Sequence, residues 1–258
     1  MDPQPQACVL CRQTNLSLAE TYQSYTLWRC AACEGRFWWP FKNPGAEWYE
    51  QDIRYHGRNH DPLLTPVDSH QLFLQDAPCS GGEVLDVGCG TGNFLAAAQK
   101  AGYQVYGTDF DRDAIQTAKD VFHLENVRVA SVEDLVRDEH RYDVVTFFEV
   151  LEHVDEPNHF IDLVRSLLKP DGWIALSVPD VASWDVIKVH DKPPRHLTRW
   201  SKEAMKHFLQ AHGFEVVHVV QKRMQISYLI TKFHFWTKRF LSFDLVNKVQ
   251  RKEIAAGQ

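Results

Sequence analysis

The chain has 258 residues, 44% of them hydrophobic and 24% charged, so it can bury a full core and is expected to form one main domain with a smaller part attached. Its net charge of −6 argues against a dedicated nucleic-acid binder. The N-terminus lacks a basic region followed by an apolar stretch, and there is no apolar run of about 18 residues or more. We therefore expect no signal peptide, no membrane span and a cytoplasmic protein, in which cysteines are metal ligands or free thiols.

Four of the six cysteines form two Cys-x-x-Cys pairs separated by 18 residues, a spacing typical of structural zinc sites. These ligands are Cys8, Cys11, Cys30 and Cys33. The stretch ETYQSYTLWRC between them predicts the short strands of a zinc ribbon over residues 1–42, and the aromatic stretch FWWPF after it predicts a docking surface. So small a segment depends on its metal for stability. Cys79 receives no ligand role.

Residues 81–222 alternate short β-branched runs with amphipathic helices, which predicts a doubly wound α/β fold. The predicted strands are EVLDVG, YQVYGTD, NVRVAS, YDVVTFF, WIALSVP and FEVVHVV. The predicted helices are NFLAAAQKA, DRDAIQTAKDVF, KEAMKHFLQAHG and one that Pro157 opens and whose apolar face runs to Leu168, with a turn at KPDG after it. Ligands of such sheets bind at the carboxyl ends of the strands.

The first of these strands leads into a glycine-rich turn, VLDVGCGTGNF. This turn departs from a dinucleotide-binding fingerprint, which would need Gly or Ala at the position of Asn93. An acid, Asp109, ends the next strand. Roughly over residues 81–220 the chain resembles class I S-adenosylmethionine-dependent methyltransferases, through VLDVGCGTG, GTDFD, SVEDL, FEVLEHV and LLKPDGW in that order. The resemblance implies a seven-stranded, Rossmann-like sheet that binds S-adenosylmethionine.

The resemblance also implies roles for single residues. Asp109 would accept the ribose hydroxyls, Asp86 would lie near the methionine ammonium, and Ser131 with the Val132 amide would meet the adenine. Ser131 stands where the family often has Asp. The other cofactor contacts implied are Gly88, Cys89, Gly90, Gly92, Phe110 and Glu149.

Acids and histidines gather where the methyl acceptor is expected, as Glu149, Glu152 and His153 in FEVLEHV and His196 in PPRHLTRWS. This set is similar to the Glu-x-x-Glu-His and later His of small-RNA 3′-terminal ribose methyltransferases and of ubiquinone-pathway catechol O-methyltransferases. That resemblance implies a second divalent metal (Mg, Mn or Zn) on these four residues. In the alternatives, His153, His196 or Glu149 is a general base, or the site only positions the substrate.

The two ends of the core are less defined. Residues 43–80 form a lid over the substrate or a packed linker, and residues 223–258 form a basic, aromatic helical segment. That segment is suited to peripheral membrane contact, to capping the pocket or to a homodimer contact. Taken together, the sequence predicts O-methylation of a small molecule (a sugar, vicinal diol or catechol-like compound) in secondary-metabolite or polysaccharide biosynthesis. The alternatives are an RNA methyltransferase that uses the ribbon, a small-molecule C- or N-methyltransferase, and a non-enzymatic binding protein.

Overall fold

The computed structural model describes residues 4–45, 48, 57, 59, 62, 64–179 and 192–220. The elements with described bounds are, in chain order, β1 (Leu16–Tyr22), β2 (Tyr25–Cys30), β3 (Arg36–Trp39), α1 (Asp68–Asp76), β4 (Gly82–Val87), α2 (Asn93–Lys100), β5 (Tyr103–Asp109), α3 (Arg112–Phe122), β6 (Val127–Val129), α4 (Val132–Arg137), β7 (Tyr142–Phe148), a 3₁₀ turn (Leu151–His153), α5 (Pro157–Ser166), β8 (Leu168–Ser177), β9 (Thr198–Arg199) and α6 (Lys202–Ala211). All of them lie in one compact unit, Met1–Val219. The basic aromatic segment, 223–258, lies outside the described residues, as does most of 46–63.

The N-terminal ribbon is an antiparallel sheet in the order β1-β2-β3-β9. Three of its strands come from the cysteine-rich segment. The fourth, β9, comes from much later in the chain: Thr198 pairs with Phe37, and Arg199 pairs with Arg36. A segment near the end of the core is thereby built into the ribbon by backbone hydrogen bonds.

The central sheet has five parallel strands in the order β6-β5-β4-β7-β8. Its inner strands are near-continuous apolar runs because helices cover both faces of a parallel sheet. In this order the first strand of the sheet, β4, lies between β5 and β7. The crevice at its carboxyl end is therefore the point at which the chain switches direction across the sheet, where ligands of such folds bind.

Two apolar clusters fill the two faces of this sheet. One joins the sheet to α1, α2 and α3 through residues such as Phe73, Leu95 and Ile115. The other joins it to α5 and α6 through Ile161 and Phe208 and also contains ribbon residues, among them Phe37, which is fully buried. The ribbon therefore shares the core of the second face. Among the described residues, no helix is long and apolar enough to cross a membrane.

Two expectations about local structure were wrong: a strand at FEVVHVV and the position of Leu168 in a helix. FEVVHVV forms no strand: Phe214 and Val216 pack on the core while Val217 is 66% exposed, so the burial alternates without a hydrogen-bonded partner strand in the described part of the chain. Of the seven strands expected, the described residues therefore supply five to the central sheet. The expected turn at KPDG lies within the bounds of β8: residues 169–172 have no partner in β7, and Asp171 has a left-handed φ of 61°. Leu168 thus belongs to a strand and not to the helix before it.

Candidate active site

In the glycine loop between β4 and α2, Gly88 is packed too closely to carry a side chain. Gly88 has a φ of 76°, and a Cβ on it would lie 2.5 Å from Cγ2 of Val150. Its N–H and that of Cys89 donate to the Thr108 carbonyl, at 2.8 and 3.0 Å. The loop is therefore held against the end of β5 and against the segment after β7, and it leaves its backbone open to close approach by a ligand.

Asp109 ties this loop to the end of β5. Its carboxylate accepts from the Gly90 N–H at 2.8 Å and from the Asp111 N–H at 2.9 Å. The next residue, Phe110, is 66% exposed and offers an apolar ring at the same edge of the sheet. An acid in this position can accept the two hydroxyls of a ribose, as the sequence predicts.

Asp86 lies in the floor of the crevice and is 3% exposed. Its pKa is raised from 3.8 to about 8, mainly by burial and to a smaller extent by the nearby Asp109, against a hydrogen bond from Thr146 Oγ1 at 2.6 Å, which lowers it. A cation placed beside this carboxyl would stabilise its charged form. The group is thus suited to an ammonium ligand, the role that the resemblance implies.

Ser131 is the N-cap of α4 and not the last residue of a strand. Its hydroxyl accepts from the Asp134 N–H and also contacts the Asp134 carboxylate, which in turn accepts from the Ser131 N–H. This reciprocal pair fixes the start of α4. Val132 follows in the first turn and is buried. Their contact with adenine stays a prediction.

Glu149 directly follows β7 in a left-handed conformation, with a φ of 56°. Its N–H donates to the Ser177 carbonyl at 2.9 Å, and its Oε1 accepts from Ser177 Oγ at 2.8 Å. Glu149 is exposed at the surface, yet the protein atoms around its carboxyl group partly desolvate it and raise its pKa, while the Ser177 hydrogen bond and His196 lower it. Strained backbone held in this way is characteristic of functional sites.

Glu152, His153 and His196 form a compact group of ligand atoms, all within 4.8 Å of one another. Glu152 is 1% exposed, and its Oε1 lies 3.9 Å from His153 Nε2. The ring centroids of His153 and His196 are 4.7 Å apart, and the two rings are nearly perpendicular. Of the four residues predicted to hold a metal, the structure brings these three together, whereas Glu149 is bonded to Ser177 and stands outside the group.

A backbone contact orients the ring of His153. Its Nδ1 lies 2.8 Å from the Arg195 carbonyl, which can only accept, so Nδ1 carries the proton. In the neutral ring Nε2 then presents its lone pair on the side of Glu152. Histidines that ligate metals are commonly oriented in this way.

The ribbon supports the same group of residues. Leu197, next to His196, donates to the Glu152 carbonyl at 2.7 Å and accepts from the Trp38 N–H at 2.8 Å. Asn43 Nδ2 donates to the His153 carbonyl at 2.7 Å. The two segments that carry the acid and the histidines are thus joined to each other and to the end of the ribbon.

The four ribbon cysteines have the geometry of a zinc site. Their Sγ atoms lie within 4.8 Å of one another, at 3.7 Å for Cys8 and Cys33 and 3.5 Å for Cys11 and Cys30. Sulfurs of a tetrahedral zinc site are about 3.8 Å apart, given zinc–sulfur bonds of about 2.3 Å. The hydrogen bond from Cys33 lowers the pKa of Cys8 to about 5, whereas burial raises that of Cys11 to about 11. Zinc would hold all four as thiolates.

Sequence reasoning missed the residues that support the site. Thr146 and Ser177 are hydroxyl residues near the carboxyl ends of apolar strands, and this placement was a usable signal. Asn43 gave no signal in the sequence, because its partner, the His153 carbonyl, is 110 residues away along the chain. Glu20 gave none either, although its carboxylate contacts both Lys192 and Arg199 at the two ends of the segment that carries His196.

A parallel sheet of this order, with a glycine loop after its first strand and an acid after its second, defines an α/β domain of the methyltransferase class. Residues 64–219, more than half of the chain, match the model of the family described as a methyltransferase domain. The chain belongs to this family of S-adenosylmethionine-dependent methyltransferases.

Curated relatives carry the name ubiquinone biosynthesis O-methyltransferase. The protein of Nitrosospira multiformis is 41% identical over 146 residues, which cover 53% of this chain and 58% of that protein. The protein of Actinobacillus pleuropneumoniae is 31% identical over 148 residues, which cover 53% of this chain and 61% of that protein. The chain thus spans less than two thirds of the length of these relatives.

Solved structures share the fold at low sequence identity. A complex between the Haloferax volcanii Trm112 methyltransferase activator and a methyltransferase matches with a TM-score of 0.53 and 21% identity, over 69% of this chain and 79% of that one. An S-adenosylmethionine-dependent methyltransferase from Archaeoglobus fulgidus matches with a TM-score of 0.50 and 19% identity, over 76% of this chain and 95% of that one. These likenesses concern the fold alone.

Proposed function

We propose that this protein transfers the methyl group of S-adenosylmethionine to a hydroxyl of a small molecule that carries a vicinal diol or catechol-like pair. The observation that carries the proposal is the convergence of Glu152, His153 and His196 just beyond the carboxyl end of β7. The name of the relatives, which denotes O-methylation, supports the same reaction.

In this proposal the glycine loop and Asp109 hold the nucleoside of the cofactor, and Asp86 lies beside its ammonium group. The cofactor would then supply the methyl group, and the residues after β7 would receive the acceptor. Methyl transfer is an in-line displacement, so the protein must place the acceptor oxygen opposite the sulfur and weaken its O–H bond. We place the acceptor oxygen between Glu149, which directly follows β7, and the group formed by Glu152, His153 and His196.

We further propose that Glu152, His153 and His196 hold a divalent metal. Two imidazoles and one carboxylate suit Mn or Zn better than Mg, and they leave coordination positions open for a diol. The bound metal would lower the pKa of the acceptor hydroxyl. The orientation of His153 by the Arg195 carbonyl supports this assignment. If no metal binds, the same two histidines and Glu149 remain as candidates for the proton acceptor.

We also propose that the acceptor is a sugar or an intermediate of polysaccharide or secondary-metabolite biosynthesis, because such molecules contain the required vicinal hydroxyls. Methylation of RNA is less favoured because the net charge of the chain is −6.

The test is a panel of catechols and cis-diol sugars incubated with S-adenosylmethionine, with release of S-adenosylhomocysteine and the methylated atom as readouts. We expect His196→Ala and Glu152→Gln to lower kcat/KM at least 100-fold while the Kd of S-adenosylmethionine changes less than twofold. His207→Ala, on the exposed face of α6, is the matched control. Methylation only at carbon or nitrogen would overturn the proposed reaction.

The metal is tested separately by elemental analysis. We expect two metals per chain, and His196→Ala should lose the one at Glu152, His153 and His196 while it keeps the one at the four cysteines. If the unaltered protein holds a single metal even with excess Mn²⁺ or Zn²⁺, then Glu152, His153 and His196 do not bind a metal. That result would not contradict the methylation of a hydroxyl.

A further inference from the structure

One carboxylate of the ribbon, that of Glu20, contacts both ends of the segment that carries His196. Lys192 Nζ donates to its Oε1, and Arg199 Nη1 donates to its Oε2 at 2.9 Å. His196 lies between these two cations in the sequence, whereas Glu20 is 172 residues from Lys192 along the chain. The ribbon therefore reaches the segment of His196 through a side chain as well as through the backbone of β9.

A β-bulge in β1 places Glu20 on the face of the ribbon where these cations lie. The pairing of β1 with β2 shifts just before Glu20, which makes Ala19 an extra residue and sets Glu20 opposite Leu27. Leu27 is in turn opposite Trp38 of β3, and directly paired residues project to the same face. Because side chains alternate along a strand, the bulge turns Glu20, and not Ala19, to the side of Trp38.

The two ion pairs are shielded from water. The side chain of Lys192 is 15% exposed and that of Arg199 is 7% exposed. Lys192 Nζ lies 4.9 Å from the ring centroid of Tyr22, and the Arg199 guanidinium lies 5.0 Å from that of Trp38. Burial raises the pKa of Glu20, but the hydrogen bonds from Lys192 and Arg199 outweigh it and hold the pKa below its usual value. Ion pairs in such surroundings are stronger than pairs on an open surface.

The backbone between the two cations contacts the other residues of the candidate active site. The Arg195 carbonyl lies 2.8 Å from His153 Nδ1, and the Leu197 N–H donates to the Glu152 carbonyl at 2.7 Å. The residues on either side of His196 therefore touch the acid and the histidine with which it converges. A group of this kind works only if it is held to within about 0.5 Å of its productive position, so the ends of its segment must also be fixed.

We propose that Glu20 is a positioning residue for His196: its carboxylate holds Lys192 and Arg199 together and thereby fixes the segment between them beside Glu152 and His153. The inference rests on the proposed function for the part that His196 takes in methyl transfer, whereas the fixing of the segment does not depend on it. Without Glu20 the two ends lose the carboxylate that they share. The inference assigns a residue of the ribbon to the reaction.

The kinetic test compares Glu20→Gln, which removes the charge and keeps the shape of the side chain, with Glu20→Asp, which keeps the charge. The acceptor is the best substrate of the panel of catechols and cis-diol sugars. We expect Glu20→Gln to lower kcat about tenfold, because a small displacement of a reacting group has an effect of this size or larger. The KM of the acceptor and the Kd of S-adenosylmethionine should change less than threefold.

Glu20→Asp should keep kcat within threefold of the unaltered protein, because the long side chains of Lys192 and Arg199 can follow the shorter acid. Glu34→Gln, at an exposed acid elsewhere in the ribbon, is the matched control and should leave kcat unchanged. The zinc content of each variant verifies that its ribbon is folded. Equal losses in Glu20→Gln and Glu20→Asp, or in Glu20→Gln and Glu34→Gln, would overturn the role of this carboxylate.

A double-variant cycle tests whether Glu20 acts through His196. In the His196→Ala background, Glu20→Gln should lower kcat by less than a further twofold, since the residue that it positions is already gone. A further tenfold loss in that background would show that Glu20 acts on the protein by another route and would overturn the inference.

Nuclear magnetic resonance of protein with isotope-labelled histidine separates the two proposals because it needs no turnover. The unaltered protein should give one set of ring resonances for His196, identified by their loss in His196→Ala. In Glu20→Gln we expect these resonances to broaden or split, while those of the exposed face of α6, at His207, stay unchanged. Unchanged His196 resonances would contradict only the positioning by Glu20. Broadened resonances in a protein that methylates no hydroxyl would contradict only the proposed reaction.

Discussion

The N–H of Leu197 donates to the carbonyl of Glu152 at 2.7 Å, and through this bond two segments 45 residues apart in sequence meet at the candidate site. Leu197 is fully buried, and its own carbonyl accepts from Trp38 of the ribbon. The ribbon, whose four cysteines fit a zinc site, is therefore part of the support of the acid and the two histidines.

Loss of zinc should therefore loosen the acceptor side of the site and spare the cofactor side. We expect Cys30→Ser to lower the hydrogen-exchange protection of the Leu197 amide at least tenfold, because Cys30 is a predicted zinc ligand and so small a ribbon would depend on its metal for stability. The Kd of S-adenosylmethionine should change less than threefold. Hydrogen exchange followed by mass spectrometry measures the protection of Leu197, and calorimetry measures the Kd of S-adenosylmethionine.

Cys79→Ser is the control, since this thiol lies outside the cysteine cluster. An unchanged exchange rate at Leu197 in zinc-free Cys30→Ser protein would show that the ribbon does not support the segment.

The glycine loop predicts a clear effect of one methyl group. Gly88→Ala should destabilise the protein by about 1–3 kcal/mol, because the new Cβ would lie 2.5 Å from Val150 and the backbone has a positive φ. Urea denaturation measures the change. Gly102→Ala is matched for the positive φ and has open space around the Cβ, so the difference between the two variants isolates the steric clash.

Val150→Ala in the Gly88→Ala background should recover part of the loss, since it removes the atom that clashes. If the double variant is no more stable than Gly88→Ala, the close packing of the loop on Val150 is not the cause.

Asp109→Asn should weaken the binding of S-adenosylmethionine at least tenfold. Both carboxylate oxygens of Asp109 accept from backbone N–H groups, and an amide would turn a donor toward one of them. Asp113→Asn, in the first turn of α3, is the control for a lost surface charge. Calorimetry that shows equal affinity for the two variants would rule out this role of Asp109.

The central fold could be predicted from the sequence because its signals are local. Apolar runs, amphipathic helices and the glycine turn VLDVGCGTG each depend on neighbouring residues. The strand Tyr142–Phe148 was predicted with its observed bounds for this reason. By contrast, the alternation in FEVVHVV predicted a strand, and the residues bury alternately without one, because a strand also needs a partner that periodicity does not reveal.

The site was predictable in its residue types and less so in its geometry. Three of four proposed ligands converge, yet Glu149 turns to Ser177, because its left-handed φ redirects the chain just after the strand. The pairing of β9 with the ribbon could not be inferred, since it joins residues more than 160 positions apart.

Asp86 gives the final prediction, which concerns pH. Burial first, and then Asp109, raise its pKa from 3.8 to about 8, against the Thr146 hydrogen bond. Between about pH 4 and 8 the folded protein therefore holds a proton at Asp86 that the unfolded chain has lost, so the free energy of unfolding falls as pH rises through this window. Asp86→Asn removes this dependence. It should equal the unaltered protein in stability near pH 4 and exceed it at pH 8.5.

Binding of S-adenosylmethionine should release this proton, because its ammonium group favours the carboxylate. Calorimetry at pH 7 in two buffers of different ionisation enthalpy should detect close to one proton released, and none in Asp86→Asn. Thr146→Val removes the hydrogen bond that lowers the pKa, so proton release should persist to higher pH in that variant. Proton release of the same size in Asp86→Asn would assign the proton to another group and remove Asp86 from the ammonium site.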